Sequence, residues 1–87
     1  MTYRVEITLK ALKQVSKLDK ATRLRIERFL KVGLDRENPR AQGRALVGEP
    51  FWRYRVGDYR ILAAIEDGVL LVLVVDVEHR RSVYRSR

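Results

Sequence analysis

Apolar and polar residues alternate singly over residues 2–7, with Tyr3, Val5 and Ile7 on one side and Arg4 and Glu6 on the other. A period of two predicts a strand. Thr8 is of a type that caps helix N-termini. After it Leu9, Leu12, Val15 and Leu18 recur near helical spacing, with Lys10, Lys13 and Lys17 outward. Asp19 caps a second predicted helix, with Ile26, Phe29, Leu30 and Leu34 as its apolar stripe and Lys20, Arg23, Glu27 and Lys31 wet. Little more than the cap separates the two helices, so they form an antiparallel hairpin.

Residues 35–49 hold Asn38-Pro39, Gly43 and Gly48, with Pro50 just beyond, and these turn formers argue against a third long helix. Leu46 and Val47 are expected to dip into the core or open a short strand. Strand period returns at Trp52, Arg53, Tyr54, Arg55 and Val56, then Gly57-Asp58 makes a two-residue hairpin turn. That loop length pairs Val56 with Tyr59, Arg55 with Arg60 and Tyr54 with Ile61. Asp67-Gly68 reads as a second hairpin turn, and residues 69–77 are nearly all Val and Leu. A strand apolar on both sides is covered on both, which makes it central. With Glu66 opposite Val69, Arg60 falls opposite Val75.

Alternation puts Trp52, Tyr54, Val56, Tyr59 and Ile61 on one face and Arg53, Arg55 and Arg60 on the other. Leu71, Leu73, Val75 and Val77 are expected on the arginine face, followed at the same parity by His79. Like charges directly opposite each other destabilise a sheet, so folding does not call for this cluster. Guanidinium forks match phosphate oxygens, and an anion-binding surface does call for it. A solvated sheet face that is merely basic is the alternative.

Composition narrows the chemistry. The 87 residues carry a formal charge of +8 with a pI near 10.4, the footprint of a polyanion partner. Every lysine lies at or before Lys31, and from Arg36 onward every cation is arginine. A single domain over residues 1–87 is expected from this length. No cysteine is present and His79 is the sole histidine, which excludes disulfide frameworks and the usual zinc sites; no metal or other cofactor is expected. The opening Met-Thr-Tyr-Arg-Val starts no apolar run, and residues 69–75 are too few to span a bilayer. A cytoplasmic protein with no membrane partner is the expectation.

The last ten residues, Glu78-His79-Arg80-Arg81-Ser82-Val83-Tyr84-Arg85-Ser86-Arg87, leave the central strand beside the arginine face. Together, Phe51-Trp52-Arg53-Tyr54-Arg55, Gly57-Asp58-Tyr59-Arg60-Ile61 and His79-Arg80-Arg81-Ser82-Val83-Tyr84 resemble the RelE/ParE superfamily of toxins from toxin–antitoxin pairs, and its RelE branch in particular. The resemblance covers the whole chain. It implies a ribosome-dependent endoribonuclease that cuts messenger RNA in the A site without a metal, the 2′-hydroxyl attacking its own 3′ phosphate. By the same resemblance Arg60, Arg80 and Tyr84 are catalytic, and Arg53, Arg55, Arg81 and Arg85 bind RNA. Where some relatives carry lysines, this chain has Arg53 and Arg55, and arginine does not give up its proton. His79, which titrates near neutrality, and Tyr84 are left as the groups that could move protons.

The resemblance also implies a cognate RelB-like antitoxin, acidic and wrapped over the basic surface, with the ribosome and messenger RNA as further partners. Two other functions compete: a ParE-like inhibitor of DNA gyrase without RNase activity, and a basic module that binds RNA without cutting it. The expected fold is α+β, a RelE-like β-α-α-β-β-β order with the two-helix hairpin packed on one face of a small, mainly antiparallel sheet.

Overall fold

The computed structural model describes residues 2–79. Strand β1 (Arg4–Ile7) leads into helix α1 (Leu9–Ser16), and helix α2 (Lys20–Arg28) continues as a π-helical turn over Phe29–Gly33. Strands β2 (Arg44–Ala45), β3 (Trp52–Val56), β4 (Tyr59–Glu66) and β5 (Leu71–His79) follow. The sheet order is β1-β5-β4-β3-β2. Strand β1 runs parallel to β5 and the remaining pairs are antiparallel, so the sheet is mixed. The α+β architecture is the expected one, with β5 central; β2 is an additional short edge strand.

Both expected caps are present. The Thr8 hydroxyl accepts the Ala11 amide at 3.2 Å, and Asp19 accepts the Thr22 amide at 3.1 Å. Each such cap contributes about 1 kcal/mol. The helices cover one face of the sheet, where Ala11, Val15, Ile26, Leu34, Tyr54, Val56, Ile61, Ala63, Val72, Val74 and Val77 form the buried core. The buried side of α1 keeps the expected Val15, with Leu18 just beyond the helix packed against the core, and departs from the expected stripe at its other positions. Ala11 and Val15 face the core, while Leu9 and Leu12 are 66% and 50% exposed. The small Ala11 lets the short helix sit close on β5, which turns the two leucines outward. Val47 also departs from expectation: it is 99% exposed at the tip of the β2–β3 connection.

The first hairpin has the expected register, with Val56 opposite Tyr59, Arg55 opposite Arg60 and Tyr54 opposite Ile61. The second does not. A 3-10 turn over Asp67–Val69 and a left-handed Leu70 lengthen the connection, so Glu66 pairs with Leu71. Ala63 then pairs with Val74 but Leu62 with Asp76, which leaves Val75 as an extra residue. One extra residue moves every following side chain to the other face. Arg60 therefore stands opposite Glu78 rather than Val75, and Val77 turns into the core at 5% exposure.

Candidate nucleic-acid interface

Two cross-strand rows build the basic face. Arg55, Arg60 and Glu78 are successive register partners across β3, β4 and β5. Beside them Arg44 faces Arg53, and Arg53 faces Leu62. Partners in such rows have Cβ atoms about 5 Å apart, so the guanidinium groups of Arg44, Arg53, Arg55 and Arg60 can converge on one polyanion. Leu62, Ala64, Leu71 and Leu73, half-buried, extend the same face as an apolar floor. Arg55 and Arg44 are exposed, while Arg53 and Arg60 are partly covered.

Arg44 was not singled out by the sequence pattern, because a two-residue strand has no visible period. Its placement comes from the segment before it. Tyr54, buried on the helix side, donates its hydroxyl to the Pro39 carbonyl at 2.6 Å, and burial pushes that phenol up to about 12. Trp52 Nε1 donates to the Gln42 carbonyl at 2.6 Å. The Gln42 side chain accepts the Asp35 amide and donates to the Gly33 carbonyl at the helix end. Gly43 sits at φ 75°, where a Cβ would lie 2.3 Å from the Arg53 carbonyl oxygen. Only glycine lets β2 approach β3 that closely, and the approach is what sets Arg44 against Arg53. A glycine just before an arginine, ahead of a second turn, was the available signal.

The far end of this segment is tied to the β4–β5 turn. Arg40 donates to both Asp67 carboxylate oxygens, at 2.9 and 3.1 Å, and the Tyr3 hydroxyl donates to Asp67 Oδ1 at 2.7 Å. The Arg40 guanidinium, and after it the Tyr3 hydroxyl, hold the Asp67 carboxyl below the usual carboxylate range.

The family model that matches residues 5–84 is that of the ParE toxin of type II toxin–antitoxin systems. The chain belongs to the ParE toxin family. No curated protein sequence matches it. Among solved structures it is similar to a chain of the RelBE2 toxin–antitoxin complex from Mycobacterium tuberculosis, with 28% identity and a TM-score of 0.83, covering 92% of this chain and 100% of that one. It is also similar to a chain of the intact Escherichia coli RelBE complex, with 26% identity and a TM-score of 0.73, covering 88% and 95% respectively. A chain of the archaeal RelE–RelB complex from Pyrococcus horikoshii gives 25% identity and a TM-score of 0.71, covering 92% and 97%. The protein is thus a toxin of a RelBE-like type II toxin–antitoxin system.

Of the site residues expected in this toxin, Arg53, Arg55 and Arg60 share one face. Arg80, Arg81, Tyr84 and Arg85 lie outside the described residues. The expected position of His79 is corrected. It pairs with Tyr59, and the two rings meet edge to face with centroids 5.1 Å apart, on the face opposite Arg60. The Val75 bulge is the reason: unbroken alternation from Val75 puts His79 with the arginines, and one added residue reverses that. Among the described residues no three histidine, aspartate or glutamate side chains gather as a metal site, and no helix is long and apolar enough to cross a membrane.

Proposed function

We propose that this toxin is a ribosome-dependent endoribonuclease that cuts messenger RNA in the A site. The observation that carries the reading is the arginine face, where Arg53, Arg55 and Arg60 stand together despite the cost of like charges opposed across strands. Likeness to RelE chains at 25–28% identity supports the same reading.

In this reading Arg60 grips the scissile phosphate and stabilises the charge that develops on its oxygens, while Arg53, Arg55 and Arg44 hold the flanking backbone. The 2′-hydroxyl attacks the adjacent phosphorus, leaving a cyclic phosphate and a 5′-hydroxyl. Arginine supplies positive charge without giving up a proton, so the face needs no metal for that task. Arg80 and Tyr84 complete the site from the tail, with Arg81 and Arg85 on the RNA backbone. In this reading His79, paired with Tyr59 on the opposite face, is assigned no proton transfer. The partners are the ribosome, its message and a RelB-like antitoxin whose acidic segment neutralises the arginine face, all in the cytoplasm.

The family model's ParE description favours a second reading, inhibition of DNA gyrase. Purified toxin assayed in parallel on programmed ribosomes and on gyrase supercoiling separates the two. Cleaved message with unimpaired supercoiling is expected. Intact message with blocked supercoiling would reverse the order.

A further inference from the structure

We propose that Glu78 is the general base of the reaction, taking the 2′-hydroxyl proton of the nucleotide whose 3′ phosphate Arg60 holds. The inference rests on the RNase reading above.

The geometry begins with register. Arg60 and Glu78 are direct partners across β4 and β5, between Ile61–Val77 and Tyr59–His79. Ile61 and Val77 are buried under the helices, so Arg60 and Glu78 project from the other face. Direct partners on one face have Cβ atoms about 5 Å apart. A phosphate gripped by the guanidinium therefore has its neighbouring 2′-hydroxyl within reach of the carboxylate.

Elimination points the same way. Arg44, Arg53, Arg55 and Arg60 keep their protons. His79 packs its ring on Tyr59 across the sheet. Asp76, two residues before Glu78, accepts from Gln14 Nε2 at 2.6 Å and has Lys10 Nζ at 3.7 Å. Glu66 is on the right face but six residues along β4 from Arg60, roughly 20 Å away at strand rise. Register places two carboxylates of β5 beside the arginine cluster, Asp76 opposite Leu62 and Glu78 opposite Arg60; Gln14 and Lys10 of α1 engage the first, which leaves Glu78 among the described residues of β3, β4 and β5. The charged groups that register sets around it are Arg60 of β4, Arg55 beyond it on β3 and Asp76 two residues back on its own strand; Lys10 of α1 pairs with Asp76.

The step balances without a further reactant than water. The Glu78 carboxylate takes the 2′-hydroxyl proton as the O2′–P bond forms. The P–O5′ bond breaks, O5′ leaves with the electron pair, and water protonates it. Glu78 returns its proton to solvent.

The test is single-turnover cleavage on programmed ribosomes by wild type, Glu78→Gln and Glu78→Asp, with ribosome affinity measured alongside. A positioned general base contributes 10²- to 10⁴-fold. Glu78→Gln is expected to slow cleavage by at least about 10²-fold with affinity within threefold of wild type, and Glu78→Asp to recover part of the rate. Glu78→Gln cleaving within threefold of wild type overturns the proposal and leaves the RNase reading standing. Loss of affinity in both variants matching the loss of rate overturns it as well. Wild-type toxin that binds ribosomes and leaves the message whole overturns the parent reading, and this one with it.

Discussion

Gln14 holds the backbone of Val77: its side-chain carbonyl accepts the Val77 amide at 2.8 Å while its amide donates to Asp76 at 2.6 Å. This one glutamine of α1 spans the two residues that follow the extra Val75. A bulge leaves ladder groups unpaired, and Gln14 supplies a partner. Gln14→Met keeps the length and removes both bonds. An orphaned amide costs about 1–3 kcal/mol, so chemical denaturation should show a loss of that size. Because the bulge sets which face Glu78 occupies, cleavage should fall further than stability alone explains. A variant as stable and as active as wild type would contradict this role.

Gly43 governs the distance between β2 and β3. With φ at 75° and the Arg53 carbonyl 2.3 Å from any added Cβ, Gly43→Ala must separate the strands. Backbone strain of this kind costs on the order of 1–3 kcal/mol. Arg44 should then leave its place opposite Arg53, lowering RNA affinity. A melting curve and a salt-dependent binding assay check both effects, and loss of one phosphate contact should reduce the salt slope by about one.

Asp67 joins Tyr3, Arg40 and the β4–β5 turn. Its carboxyl is held low in the folded chain, chiefly by Arg40, and the Tyr3 hydroxyl is held high, chiefly by the same carboxylate. A lowered acid stabilises above its unfolded value, near 4, and loses that contribution as pH falls through the folded value. The raised phenol stabilises below its unfolded value, near 10, and loses that contribution as pH rises through the folded one. Urea midpoints of wild type should therefore fall at both extremes, and Asp67→Asn should flatten both limbs. Identical profiles for the two proteins would sink the assignment.

The first hairpin was legible because its turn is two residues long. Gly57-Asp58 leaves one register open to it, so the shared face of Arg53, Arg55 and Arg60 followed from spacing alone. The helix caps were legible for the same reason, being local. Errors arose where geometry depends on distant groups. From Leu71 to Val75 every residue is apolar, so side-chain parity is not legible there, and Asp76 alone does not say which residue is the extra one; Gln14, on another element, supplies the mark. The side of α1 that faces the sheet turned on the small volume of Ala11, which a stripe of larger leucines conceals. Arg44 needed the close approach that Gly43 permits across the sheet.

Primer extension on programmed ribosomes decides whether the arginine face cuts messenger RNA. Wild-type toxin should produce cuts in the A-site codon, and Arg60→Ala, which leaves the buried core intact, should reduce them by at least about 10²-fold, the scale of removing one charge-stabilising donor. Cuts of equal strength from both proteins, or none from folded wild type, would contradict the account.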